Sequence, residues 1–146
     1  ICACLVGSEM CIRDSYSIIL LRMPENVELR LDDCQPFTLY TDRSRLTQVL
    51  TNLLTNAIKH TKKGYICFGY DVTEQEIRFY VTDTGEGIPD DQLERVFDRF
   101  VKLTQWTNGV GLGLAISKAL VTKLGGRIEV TSQQGVGSTF SVIFPR

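Results

Sequence analysis

The sequence predicts an α+β fold: a two-layer sandwich, with a mixed, mostly antiparallel sheet of about five strands covered on one face by about three helices. Three observations predict it. Short alternating segments arrive in pairs around polar turns, which makes them hairpin neighbours and antiparallel. Two stretches between the pairs carry apolar residues at helical spacing, and helices inserted between hairpins cover one sheet face, not both. The length of 146 residues, with 43% hydrophobic and 23% charged residues, fits one globular domain.

Residues 1–15, ICACLVGSEMCIRDS, match none of the patterns that follow. Their apolar start lacks the basic region and small-residue cleavage site of a signal peptide. The stretch resembles translated adapter read-through or an expression scar, and residues 16–22 the remnant of a preceding segment. Residues 1–22 are therefore expected as a non-native or vestigial lead, and residues 23–146 as the domain.

Val27, Leu29 and Leu31 alternate with Glu28, Arg30 and Asp32, the period of a strand. Pro36 interrupts, and Phe37, Leu39 and Tyr40 suggest a second extended piece. Leu46, Val49, Leu50, Leu53, Leu54, Ala57 and Ile58 then form an amphipathic helical stripe. Thr41 or Asp42 is its expected N-cap, and Lys62, Lys63 and Gly64 its stop. Tyr65–Asp71 and Glu76–Thr82 read as a hairpin turning near Glu74, with Asp83 at the end of the second strand. Asp90 and Asp91 are positioned to cap a short helix through Phe97. Leu112, Ala115, Ile116, Ala119, Leu120 and Leu124 restore helical spacing, ended by Gly125-Gly126. Ile128 and Val130, then Phe140, Val142 and Phe144, make a closing strand pair around Gln133–Gly137.

Sixteen Lys and Arg against 17 Asp and Glu leave a net charge of −1, which excludes a broadly basic nucleic-acid binder. No apolar run approaches the roughly 18 residues of a membrane span. Five cysteines, three of them crowded into residues 1–11, make a poor disulfide framework and no CxxC pair, so reduced thiols in a cytoplasmic protein are expected. The single histidine, His60, cannot complete a Cys2His2 zinc site. Cys34 and Cys67 read as packing residues.

Three groups of residues carry chemistry. On the first long helix, Asn52, Asn56, Lys59 and His60 fall at offsets 0, 4, 7 and 8, within roughly 100° of arc. Carboxamide oxygens suit Mg²⁺, which keeps waters and phosphates as its other ligands. A lysine pairs with phosphate, and an imidazole stacks on a purine. A solvated polar face would carry the same residues. The loop Asp83-Thr84-Gly85-Glu86-Gly87-Ile88-Pro89 follows a strand end. Its carboxylate suits an exocyclic amine, and Gly85 and Gly87 let backbone approach a flat ring; a surface turn would use the glycines equally well. Gly109-Val110-Gly111-Leu112-Gly113 opens the second long helix, where freed N–H groups cradle phosphate. It is not a Walker A loop, because the chain has no Gly-Lys pair. Nor is it a Rossmann fingerprint, because polar residues precede it and its sixth position is neither Gly nor Ala.

The ordered set NLLTNAIKHT, DTGEGIP, FDRF, GVGLGL and GVGSTF resembles the catalytic, ATP-binding domain of sensor histidine kinases, of the GHKL superfamily with its Bergerat fold, over roughly residues 24–146. The resemblance implies ATP and Mg²⁺ as cofactors, with Asn56 on the metal and Asn52 one turn earlier. Lys59 matches a phosphate-contacting base, and His60 an aromatic flanking the adenine. Asp83 matches the aspartate on the adenine amine, with Gly85, Gly87 and Ile88 behind the ring. Phe97 and Phe100 match the box anchoring a lid, although core anchors would show the same spacing. Gly109, Val110, Gly111, Leu112 and Gly113 match the lid's second glycine box, and Lys102 a further phosphate contact. Ser138 or Thr139 matches a hydroxyl reaching adenine through water. Trp106 is either an exposed lid aromatic or a contact for a phosphoacceptor domain.

In such kinases the phosphoaccepting histidine sits on a separate helical hairpin, and nothing here matches it. The expectation is therefore a domain that binds ATP or ADP and donates the γ-phosphoryl group to a histidine on a dimerisation domain of the same or a partner kinase. A response regulator would act downstream, within a larger sensor or hybrid kinase. A nucleotide-responsive interaction module without phosphotransfer is the alternative. A topoisomerase-, chaperone- or serine-kinase-type ATPase is a third reading. The topoisomerase pattern places a glutamate base where this chain has Asn52, and a carboxamide is a poor base.

Overall fold

The computed structural model describes residues 4–7, 10–32, 37–98 and 113–146. The elements run β1 (Cys4–Gly7), α1 (Met10–Leu20), β2 (Val27–Leu31), β3 (Thr38–Thr41), α2 (Arg43–His60), β4 (Gly64–Val72), β5 (Glu76–Asp83), α3 (Asp90–Leu93), α4 (Gly113–Lys123), β6 (Arg127–Gln133) and β7 (Gly137–Pro145). Five strands form one sheet in the order β2-β4-β5-β7-β6. The β2–β4 pair is parallel and the other three pairs are antiparallel. The fold is the expected α+β sandwich with a mixed sheet.

Strand parity builds the core. Ile66, Phe68, Tyr70, Ile77, Phe79, Val81, Phe140, Val142 and Phe144 are buried on one sheet face. The stripe of α2 meets them, with Leu46, Val49, Leu50, Leu53 and Leu54 fully buried. Asp42 caps this helix, its carboxylate accepting from the Arg45 N–H at 3.2 Å. The helix stops at His60 with Thr61 as its C-cap. Gly64 opens β4 at φ +121°, where a Cβ would lie 2.1 Å from Thr84 Oγ1.

The structure differs from the expectations in four details. Four helices, not about three, stand among the described residues, because α1 packs against α2 with Ile19 and Ser15 fully buried. Residues 4–7 also form a strand, paired antiparallel with β3. The short helix after Pro89 covers only Asp90–Leu93, has no side-chain cap, and continues as turns to Asp98. Its aspartates sit in the first turn, beside the helix N-terminus, not at the cap. Finally, α4 turns Ser117 and Val121 inward, with Leu114, Leu120 and Leu124 half-buried beside them, and leaves Ile116 and Ala119 exposed. This helix is apolar on most of its circumference, so spacing alone left its rotation open.

Candidate functional site

The site grows from the end of the sheet. Asp83 is the last residue of β5 and continues the inward row of Ile77, Phe79 and Val81. Its register partners are Ile66 on one side and Ser138 on the other, and Ser138 is paired in turn with Ser132. One row across four strands therefore reads Ile66, Asp83, Ser138, Ser132. Three polar side chains end a sheet face that is otherwise apolar. Asp83 is only 5% exposed. Burial raises its carboxyl above the usual carboxylate range, and backbone N–H groups of Gly85 and Ser138 partly offset that. The Gly85 N–H donates to Oδ1 at 2.9 Å.

The loop after Asp83 is clamped from both sides. The Glu86 N–H donates to the His60 carbonyl at 3.3 Å, at the end of α2. A Cβ on Gly85 would lie 2.2 Å from that same carbonyl oxygen, so no larger residue fits. Gly87 has φ +71°, and a Cβ there would lie 2.2 Å from the Gln133 carbonyl oxygen. From the β6–β7 turn, the Gly135 N–H donates to the Glu86 carbonyl at 2.7 Å. The fully buried Ile88 donates its N–H to Ser132 Oγ at 2.7 Å. Thr84 Oγ1 accepts from the Tyr65 N–H at 3.0 Å, fixing the loop's start to β4.

The C-terminal end of α2 adjoins the loop through the His60 carbonyl, and the polar face of that helix carries the remaining residues. Ser117 donates its hydroxyl to the Gly113 carbonyl at 2.9 Å. Its oxygen is thereby left to accept from the Asn52 amide at 3.4 Å. The bond orients Asn52 and leaves its carboxamide oxygen available. The Asn56 side chain is half-buried, and Lys59 is exposed. His60 has its imidazole pKa lowered to about 4, first by burial and then by the Lys59 charge. The ring is therefore neutral at physiological pH.

Asp83, Gly85, Gly87, Ile88 and Ser138 thus converge, with His60 joined through its backbone. Asn52, Asn56 and Lys59 share the adjoining helix. Gly113 is the exposed first residue of α4, with open space beside it. Thr139 does not join the site. It faces the opposite side of the sheet, its hydroxyl 3.0 Å from that of Thr82, because neighbouring strand residues point opposite ways. Phe97 is half-buried, edge-on to Phe140 at 6.2 Å and beneath the Lys118 ammonium at 5.8 Å. Lys102, Gly109, Val110, Gly111 and Leu112, like Phe100 and Trp106, lie outside the described residues. Sequence reading missed Ser132, Ser117 and Thr84. The available signal for Ser132 was a polar residue at the inward parity set by Ile128 and Val130.

A buried carboxylate with acceptor capacity to spare, at the start of a loop whose glycines pack it tightly against its neighbours, fits the amine edge of a purine. Residues 41–146 match the family of histidine kinase-, DNA gyrase B- and HSP90-like ATPases, and the chain belongs to that family. Among its relatives is the sensor protein SrrB of Staphylococcus aureus, 44% identical over 110 residues. That match covers 72% of this chain and 19% of SrrB, so the chain spans about a fifth of the length of this relative. Among solved structures, the mycobacterial sensor histidine kinase MprB superposes with a TM-score of 0.86 at 27% identity, over 99% of this chain and 97% of that one. Full-length ShkA, solved in complex with AMPPNP, superposes with a TM-score of 0.87 at 32% identity, over 99% of this chain and 32% of ShkA. The chain has the fold of the catalytic domains of sensor histidine kinases. No described helix is long and apolar enough to cross a membrane.

Proposed function

We propose that residues 23–146 bind ATP with Mg²⁺ and present the γ-phosphoryl group to a histidine on a separate helical hairpin domain. The observation that carries this reading is the buried Asp83 carboxylate in the row with Ser138 and Ser132, bordered by Gly85. Asp83 accepts the adenine amine, and Ser138 supplies the neighbouring hydroxyl. Gly85 and Gly87 let the loop close against the His60 and Gln133 carbonyls, where any side chain would collide, and so fix the backbone that borders the ring. Because His60 is neutral, it flanks the base without placing a charge beside it.

At the phosphate end, the carboxamide oxygens of Asn56 and Asn52 are the expected metal ligands. Ser117 holds Asn52 in position for that role. Mg²⁺, when bound there, neutralises charge on the phosphate oxygens. Lys59 adds a point charge from the next turn. Gly113 supplies a backbone N–H group at the start of α4. Phosphoryl transfer depends mainly on positioning and electrostatics, and these residues provide the donor side. Asn52 is a poor base toward water, which favours transfer over rapid hydrolysis. We place the reaction in the cytoplasm, with a response regulator downstream.

The test is incubation of the protein with γ-labelled ATP, Mg²⁺ and histidine-bearing helical hairpins of sensor kinases. Label on a hairpin is expected. No transfer to any of several hairpins, with ATP still bound, would favour a nucleotide-responsive binding module.

A further inference from the structure

We infer that Ser132 is a positioning residue for the base end of this site. It fixes the first glycine loop and the Ser138 hydroxyl relative to each other, and so contributes to the choice of purine. The inference rests on the nucleotide reading above and assigns a residue outside the motifs that carry it.

Ser132 lies at the inward parity of β6, where Ile128 and Val130 are apolar, and it ends the row that contains Asp83. A hydroxyl has one proton and two lone pairs. One lone pair accepts the Ile88 N–H at 2.7 Å. That N–H belongs to a fully buried residue, so losing its acceptor would leave a backbone donor unsatisfied. The Ser132 oxygen also lies 3.0 Å from the Gly137 carbonyl and 2.8 Å from Ser138 Oγ. One side chain thus ties the loop behind the purine to both residues that open β7.

Its single proton has two destinations. If it goes to the Gly137 carbonyl, the Ser132–Ser138 bond uses the Ser138 proton, and Ser138 offers only lone pairs toward the site. If it goes to Ser138 Oγ, the Ser138 proton is released toward the site, beside Asp83. An aminopurine presents a donor at its exocyclic amine and an acceptor at the adjacent ring nitrogen. Asp83 satisfies the first, and a Ser138 proton, directly or through water, satisfies the second. An oxopurine presents the reverse pattern. Ser132 therefore determines whether the pair Asp83–Ser138 reads as acceptor plus donor.

The experiment compares wild type, Ser132→Ala and Ser132→Thr by calorimetric titration with ADP and with inosine diphosphate, alongside hydrogen exchange at the Ile88 amide. Ser132→Ala should weaken ADP about five- to tenfold, from loss of an ordinary hydrogen bond or two. It should also reduce the preference for ADP over inosine diphosphate and accelerate Ile88 exchange. Ser132→Thr, which restores the hydroxyl on a residue suited to strands, should recover the ADP preference. Unchanged ADP affinity and preference in Ser132→Ala would overturn the inference. So would an equal loss for both nucleotides, or failure of Ser132→Thr to recover the preference while it retains wild-type thermal stability. If the unaltered protein bound neither nucleotide, the nucleotide reading itself would fail, and this inference with it.

Discussion

Replacing Asp83 by Asn separates binding from folding. The carboxamide oxygen still accepts the Gly85 N–H, now made at 2.9 Å, so the loop keeps its anchor. On the proposed reading, what is lost is a charged acceptor for the adenine amine, and with an amide nitrogen rotated toward the ligand, donor faces donor. A hydrogen bond to a charged group contributes about 1.5–3 kcal/mol, so ADP affinity should fall roughly 10- to 150-fold. Stability should move the other way. Burial raises the Asp83 pKa in the folded protein. Its contribution to stability is therefore fully present below the unfolded-state pKa and lost as pH rises through the folded-state pKa. As pH rises the wild type must ionise a buried carboxyl, and Asp83→Asn need not. The variant should melt at the wild-type temperature or above it at neutral pH, and lose that advantage in acid. Titration calorimetry with ADP and thermal melts at neutral and acid pH measure both. Unchanged ADP affinity would refute the site, and a lower melting temperature at neutral pH would refute the electrostatic reasoning.

Three further outcomes follow from the same geometry. Gly85→Ala drives a methyl group to 2.2 Å from the His60 carbonyl oxygen and should cost about 1–3 kcal/mol of stability; denaturant unfolding without nucleotide would show it, and an unshifted midpoint would not be compatible with the clamp. Asn56→Ala should leave the melting temperature near wild type while abolishing the strengthening of ADP binding by Mg²⁺, read by titrations with and without the cation. His60 should titrate at about 4, followed by its ring proton shifts in NMR. With a depressed pKa, its contribution to stability is present above its ordinary value and is lost as pH falls through 4; a midpoint near the ordinary histidine value would contradict its burial.

Much of this arrangement was legible in local pattern. The stripe on α2 is strict, every interior position is apolar, and so its polar face was identified with it. Asp83 could be placed at a strand end because Ile77, Phe79 and Val81 set the parity it continues. The same arithmetic on β7, where Phe140, Val142 and Phe144 face inward, selects Ser138 over Thr139, although the motif alone left both open. The rotation of α4 was not legible, since apolar residues surround it and the deciding contact, Asn52 to Ser117, joins residues 65 apart. Nor were the bonds of Ser132 to Ile88, 44 residues away, because hydrogen bonds between separate elements leave no periodic trace. The packing of α1 on α2 escaped for a related reason: a short helix beside unmatched sequence reveals its buried side only against its neighbour.

The most direct measurement is a calorimetric titration of the protein itself with ADP, in the presence and absence of Mg²⁺. Saturable binding at one site, strengthened by Mg²⁺, is the predicted result. No binding, or binding indifferent to the cation, would contradict the assignment of Asp83 to the base and Asn56 to the metal.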